Sequence, residues 1–285
     1  MSTRKYEPIA GITVGAAGSD STIPFPTNRR LLLARLYAQA TAPGPVTVYG
    51  ADVVDGLQFY VGTKLIRDVT ASELLYLAKL NGRGTLVPSA SVGIPFFFAE
   101  PHRASVMDEQ VTAWDLFGVP NMTVKARTKA GLTNPIVKVE HVYDDEFATN
   151  SKGERVLNII KHEPVYLGSL GTTADIIQPN IPIDLPIQRI HIIPDAGSTI
   201  NWAKVTINES DVIFDATQAE NIEFLADYKL VAEAGNGKPF PVVFDANGQL
   251  FDGLELPFRS IKLSINQSVA GPVKLLLERR APLYI

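Results

Sequence analysis

The chain has 285 residues, 46% of them hydrophobic, which is enough to build a core in each of two domains of ordinary size. Its net charge of −4 provides no general positive field for a phosphate backbone, so we expect no direct nucleic-acid partner. The sequence contains no cysteine, which excludes disulfides, thiolate nucleophiles and cysteine-ligated zinc.

Short apolar runs separated by 20 prolines and 21 glycines indicate an all-β chain, for which a sandwich, a barrel or a jelly roll are the candidate folds. No run approaches the roughly 18 consecutive apolar residues that a membrane-spanning helix needs. Met1–Pro8 lacks the apolar core of a signal peptide, so we expect the product to stay in the cytoplasm. Residues 1–14 are polar at first and then small and apolar, which predicts an N-terminal arm.

After the arm, the first half predicts several strands and then a helix. Thr70 and Glu73 have the spacing of a capping box, in which the threonine is the N-cap and the glutamate bonds back to it. Asn81-Gly82 is a typical end for this helix. Residues 148–164 carry an apolar cluster among polar residues, which predicts an inter-domain connector packed on one domain. The predicted strands before the helix are Leu31–Tyr37, Val46–Val53 and Leu57–Ile66.

The second half of the chain repeats the first. Ile66–Glu73 is matched by Ile213–Glu220, which again places a threonine, Thr217, and a glutamate, Glu220, at capping-box spacing. Repetition in the same order predicts two similar domains, the first with longer loops. The other matched segments are Gly15–Ile23 with Gly168–Ile176, Arg30–Tyr37 with Ile187–Ile193, Pro95–Phe98 with Pro241–Phe244, Thr123–Lys125 with Ser260–Lys262, and Pro135–Lys138 with Pro272–Lys274.

Patterns typical of catalysis are mostly absent, and we predict no catalytic residue. There is no phosphate loop, no Gly-x-Ser-x-Gly elbow and no His-Glu-x-x-His helix. Asp144, Asp145 and Glu146 follow the last strand of the first half and could bind a hard cation such as calcium, although a solvated acidic turn is the simpler interpretation. No other cofactor is expected. The four histidines are His102, His141, His162 and His191. They are scattered along the sequence, which favours surface or hydrogen-bonded core positions over a metal site.

Two consecutive β-rich domains, each with a helix after its third or fourth strand, resemble the double jelly-roll major capsid proteins. More narrowly, the chain resembles those of tailless, membrane-containing icosahedral bacteriophages of the corticovirus type. It covers about Gly15 to Ala281 and implies two eight-stranded jelly rolls, residues 15–147 and 165–285, joined by the connector. The segments that carry it are Leu31–Leu36, Leu65-Ile66, Glu73–Leu80 and Ile94–Phe98 in the first half, and Ile190–Ile193, Ile207–Ile213, the helix after Thr217 and Val273–Glu278 in the second.

The resemblance also implies a function. The chain would be a structural major capsid protein, not an enzyme, that forms trimeric, pseudo-hexagonal capsomers of an icosahedral shell around an internal membrane. The chain would form a homotrimer. The partners of that trimer would be neighbouring capsomers, vertex (penton) proteins, membrane-associated virion proteins and the internal lipid bilayer. It would assemble in the host cytoplasm and reside in the virion capsid, and Arg4 and Lys5 of the arm could face lipid headgroups or a neighbour.

Two other interpretations stay open at this point. A bicupin-like metal-dependent protein would hold a metal in each roll, and it predicts clustered ligands that the histidine distribution does not provide. A two-domain carbohydrate-binding protein predicts exposed aromatic platforms. The only tryptophans are Trp114 and Trp202, and packing in a core or an interface explains them more simply.

Overall fold

The structure is a computed structural model that describes residues 5–13, 18–100, 102–103, 112–145, 158–178, 180–249, 253–255 and 257–282. The chain divides into two compact units. The first comprises Met1–His102, Val106–Ile160 and Pro282–Ile285, and the second comprises Arg103–Ser105 and Lys161–Ala281. In the described part of the chain, no helix has both the length and the apolar character of a transmembrane span.

The first unit consists of antiparallel strands with one α-helix. Its longest strand, β3, alternates buried residues such as Leu36 and Ala38 with outward residues such as Arg35 and Gln39, the period-2 pattern of a half-buried strand. The elements are β1 (Lys5–Thr13), β2 (Asp20–Phe25), β3 (Arg30–Ala42), β4 (Val46–Tyr49), β5 (Val54–Val61), β6 (Lys64–Thr70), α1 (Ala71–Ala78), β7 (Ile94–Phe97), β8 (Trp114–Asp115), β9 (Met122–Thr128) and β10 (Thr133–Asp144).

These strands form two sheets with jelly-roll order. One sheet runs β1-β10-β3, with β7 and the short strands β4 and β8 also pairing along β3. The other runs β6-β5-β9-β2. Strands that follow one another in sequence lie largely in opposite sheets, which is the double Greek-key connectivity of a jelly roll.

The second unit has the same strand order. One sheet runs β16-β13-β18-β11 and the other β12-β17-β14-β15. The elements are β11 (Asn158–Leu170), whose first residues belong to the first unit, β12 (Thr173–Ile177), β13 (Ile187–Pro194), β14 (Ile200–Ile207), β15 (Asp211–Thr217), α2 (Gln218–Asp227), β16 (Phe240–Val243), β17 (Ile261–Gln267) and β18 (Gly271–Pro282).

The sequence repeat coincides with this structural repeat. Each matched pair of segments falls on strands with the same place in the two rolls: β2 with β12, β3 with β13, β6 and α1 with β15 and α2, β7 with β16, β9 with β17, and β10 with β18. The predicted all-β, double jelly-roll fold class is confirmed.

Both helices begin at a capping box. The Oγ1 atom of Thr70 accepts from the backbone N–H of Glu73 at 3.1 Å, and the Glu73 carboxylate accepts from the N–H of Thr70 at 2.8 Å. Thr217 and Glu220 make the same two bonds, at 3.4 and 2.8 Å. Each helix thus begins immediately after a strand of its roll, because its first N–H groups are satisfied locally.

The first strand of each roll lies where the sequence predicted something else. The predicted arm, residues 1–14, contains β1, which pairs with β10, and the predicted connector, residues 148–164, contains the start of β11. Residues 148–157 lie outside the described residues. The helix therefore follows the sixth strand of the first unit, β6, and the fifth strand of the second unit, β15, rather than the third or fourth. Pairing with a neighbouring strand overrides the weak local signal of these polar, proline-containing segments.

Two further predicted strands differ from the structure because each contains a turn. Leu57–Ile66 is a hairpin rather than one strand, since the chain turns at Gly62, whose φ of +61° favours glycine. Val46–Val53 contains the short strand β4 and a single 3₁₀ turn, Gly50–Asp52. The periodicity of hydrophobic residues does not reveal a turn that lies inside an apolar run.

An aromatic cluster fills the core of the first roll. Phe96 and Phe98 face the interior with Phe59 and Trp114, with ring centroids 5.0 to 6.4 Å apart. Phe97, between the two, points to the other face of β7, as strand geometry requires. The second core is mostly aliphatic and contains Ile190, Ile192, Val205, Leu263, Leu275 and Leu277.

Deleting residues 2–13 tests whether β1 is part of the first roll. The ladder between β1 and β10 extends from Lys5 opposite Tyr143 to Thr13 opposite Ile136, and its loss would leave N–H and C=O groups of β10 unpaired. We expect the midpoint of thermal unfolding to fall by about 5 °C or more. Deleting only residues 2–4, which precede β1, is the control. Equal midpoints for the two deletions would show that β1 is a dispensable arm.

Candidate assembly surfaces

The acidic residues predicted to follow the last strand of the first half begin within β10, where Asp144 is the last residue of the strand. Asp144 is buried and accepts from Arg30 at 2.7 Å through Nε and 2.6 Å through a terminal nitrogen. Asp145 forms an ion pair with Lys5 at the surface. Glu146 lies outside the described residues, within which no group of three histidine or acidic side chains could hold a metal. A cation at Asp144 would have to displace Arg30, and the calcium site stays a prediction.

The second roll contains an equivalent arginine–carboxylate pair. Arg189 on β13 lies opposite Glu278 on β18, just as Arg30 on β3 lies opposite Asp144 on β10. The Nε atom of Arg189 donates to Asp245 at 2.8 Å and lies 4.0 Å from the Glu278 carboxylate. Every one of these side chains is buried. Buried charges need such partners, because an unpaired one is costly in the interior.

Asp245 and Arg279 extend this network within the second unit. Asp245 also accepts from Arg103, a buried cation in the short described segment 102–103. Arg279, next to Glu278 on β18, forms ion pairs with Glu163 and Asp184. None of these groups belongs to a site that the sequence predicts. Arginine inside an apolar strand run, as at Arg30 and Arg189, is the signal that could have predicted a buried pair.

Two of the four histidines meet at Glu278. The Nε2 atom of His191 lies 2.9 Å from a carboxylate oxygen of Glu278, and that of His162 lies 3.8 Å from the same oxygen. They come from β13 and β11, the two neighbours of β18. These two histidines are far apart in the sequence but meet here, because strands distant in sequence are adjacent in the sheet.

The electrostatics of this site are set by its cations. Burial alone would raise the pKa of Glu278, but Arg189 and the hydrogen bond with His191 outweigh it and hold that pKa well below 4.5. In the first unit, burial and the nearby Arg29 lower the pKa of His141, whose ring stacks on Tyr143. These groups are consistent with structural roles in holding strands together.

The second roll exposes aromatic side chains on α2. Asn221 and Leu225 are the buried residues of this helix, and Asn221 donates to the carbonyl of Pro241 at 2.8 Å. Phe224 and Tyr228 are each 43% exposed, with ring centroids 5.1 Å apart. Large apolar groups left open in this way often mark interaction sites.

The first roll has a concavity of about 320 Å³ on its outer face. The Arg83 guanidinium lies 5.3 Å from the centre of the Phe97 ring, and Arg35 projects outward from β3. The described residues around the concavity include no carboxylate, and we call it the Arg35 concavity. It is lined by Leu33, Arg35, Tyr37, Arg83, Leu86, Ser91, Val92, Gly93, Pro95 and Phe97.

Comparison with known proteins finds solved structures but no sequence relative. No protein-family model and no curated protein matches the chain. The major capsid protein of bacteriophage PM2 matches with a TM-score of 0.79 at 16% identity, over 98% of each chain. That of Sulfolobus turreted icosahedral virus gives 0.69 at 16% identity, over 99% of this chain and 98% of the other. The capsid of PBCV-1 virus gives 0.61 at 9% identity, over 98% and 94%.

These matches extend through both rolls in their order along the chain. The chain has the double jelly-roll fold of viral major capsid proteins. Identities of 16% and below establish the fold alone. They confirm the predicted resemblance and do not favour the bicupin-like or carbohydrate-binding alternative.

Replacing Arg30 with alanine tests the buried pair of the first jelly roll. The change leaves Asp144 buried without its bidentate partner, which typically costs about 3–5 kcal/mol of unfolding free energy. The control is Arg127→Ala, which breaks an exposed ion pair with Asp20 and should change stability little. Urea unfolding followed by fluorescence of the buried Trp114 measures both. Equal midpoints for the two variants would contradict a stabilising role for Arg30.

Glu278→Gln tests the charge network of the second jelly roll through pH. The pKa of Glu278 in the folded protein lies well below 4.5, so the ionised carboxylate stabilises the fold at pH values above 4.5. This stabilisation is lost as the pH falls through the pKa of the folded state. We therefore expect the wild type to be more stable than the variant near pH 7, and the gap to shrink below 4.5. Urea unfolding across this range measures the gap. A gap independent of pH would contradict the assignment.

Proposed function

We propose that this chain is a major capsid protein that builds the shell of an icosahedral virus. The observation that carries the proposal is the match to the capsid protein of bacteriophage PM2 over 98% of both chains. A match to one roll would have little meaning, because single jelly rolls serve many functions. Two consecutive rolls matched together over nearly the whole of both chains fit the capsid role more specifically.

We propose a homotrimer as the building block. Three copies would supply six jelly rolls, and alternation of first and second rolls around a threefold axis would give a pseudo-hexagonal capsomer. The exposed aromatic rings on α2 support association, because burying their apolar surface in an interface would remove it from water.

The other proposed partners belong to the same shell. They are neighbouring capsomers, vertex and membrane-associated virion proteins, and the surface of an internal lipid bilayer. Lys5, which forms a surface ion pair with Asp145, stays a candidate for contact with lipid headgroups, and Arg4 lies outside the described residues. The net charge of −4 fits an arrangement in which other components separate this chain from the genome. We propose assembly in the host cytoplasm and residence in the virion.

The tryptophans do not support the carbohydrate-binding interpretation. Trp114 is fully buried against Phe59 and Phe98, so it is a core residue rather than a stacking platform. Trp202 donates through its indole nitrogen to Asp215 at 2.7 Å. The histidine pair at Glu278 also differs from a metal site, because Arg189 provides the charge that a cation would otherwise supply.

The molar mass of the purified protein tests the capsomer directly. Light scattering after size exclusion, at low and high salt and with and without calcium, should show a species of about three times the 31.0 kDa chain that persists on dilution. Calcium-dependent trimerisation would support a cation site near Asp144 and Asp145. A monomer under every condition would contradict the proposed capsomer.

A further inference from the structure

The two helices occupy equivalent places in the repeat but differ in how far their side chains are buried. Leu77 and Leu80 in the first roll are 7% and 0% exposed. Counted from the capping threonines, the positions equivalent to them in α2 are occupied by Phe224, which is 43% exposed, and Asp227, which is also exposed. The same side of the helix is therefore packed within the first roll and open in the second.

The open side of α2 combines aromatic rings with negative charge. Glu223 and Asp227 are exposed one turn apart, next to Phe224 and Tyr228, and we call these four residues the α2 face. Residues three and four apart are neighbours on a helix surface, so the face is contiguous. In the described part of the chain, neither carboxylate forms an ion pair. A surface complementary to the α2 face would therefore have an apolar depression and positive charge.

The Arg35 concavity has this complementary chemistry. Its walls combine apolar and polar surface in equal measure, and Phe97 and Tyr37 lie among them. Arg35 and Arg83 are exposed, and the described residues provide neither with a carboxylate. Glu140, opposite Arg35 on the β10 ladder, accepts instead from the hydroxyl of Tyr6. A volume of about 320 Å³ is in the range of pockets that admit an aromatic group.

We propose that the α2 face of one copy docks into the Arg35 concavity of the next copy. The inference rests on the proposed capsomer and names the contact that would hold it together. Two different patches of one chain form a heterologous interface, and repetition of such an interface closes a ring when the rotation permits. Three such contacts would place a second roll against a first roll at each junction between copies.

Charge explains why this contact would be selective. Copies with a net charge of −4 repel one another at long range, so association needs a local reversal of sign. Arg35 and Arg83 facing Glu223 and Asp227 provide it and fix which patches meet. The rings of Phe224 and Tyr228 then supply apolar area at the centre of a larger interface, where binding energy concentrates.

Charge reversal on each side tests the contact. One variant carries Glu223→Arg and Asp227→Arg, another carries Arg35→Glu and Arg83→Glu, and a third combines all four changes. Like charges facing each other should weaken trimerisation by about tenfold or more in each two-site variant, and the four-site variant should recover trimers because the charges again match. Light scattering over a dilution series measures association, and circular dichroism checks folding.

Lys129→Glu, which reverses an exposed cation away from the concavity, is the matched control and should stay trimeric. Loss of trimers in both two-site variants, with recovery in the four-site variant, supports the contact. Trimers that persist through every reversal, or a four-site variant that stays monomeric, would overturn it and leave the α2 face for another protein of the shell. A monomeric wild type would overturn the proposed capsomer itself, so the two failures are distinguishable.

Discussion

A buried arginine held by a carboxylate on the adjacent strand joins the third strand to the last strand in each roll. Arg30 faces Asp144 in the first roll, and Arg189 faces Glu278 in the second. A guanidinium inside a sheet is tolerated only with its partner in place, and a slip of one residue would turn the pair to opposite faces of the sheet. The register of these strands therefore depends on the pair. In the second roll, Asp245 and two histidines extend it into a network.

The sequence predicts the elements whose signals are local and repeated. The capping boxes at Thr70 and Thr217 define both helix starts, and the matched segments identify equivalent strands in the two rolls. The strands β1 and β11 could not be predicted in this way, because their stability comes from pairing with strands far along the chain. The meeting of His162 and His191 at Glu278 has the same origin. The Arg35 concavity likewise depends on β3 and a later loop coming together.

The two rolls of the repeat have one fold and different surfaces. The first roll covers its helix with its own residues and leaves a hollow beside two arginines. The second roll leaves its helix open, with aromatic rings and carboxylates on the exposed side. Identical rolls would favour isologous pairing, whereas different patches on the two rolls favour head-to-tail association and closed rings. Different surfaces on two rolls of one fold can thus give the chain a direction in assembly.

Cryo-electron microscopy of the purified oligomer would show both the symmetry of the assembly and the residues at each junction. We expect a threefold ring in which first and second jelly rolls alternate, with Phe224 and Tyr228 of one copy beside Arg35 and Arg83 of the next. A twofold dimer that pairs identical surfaces, or a particle without rotational symmetry, would contradict it.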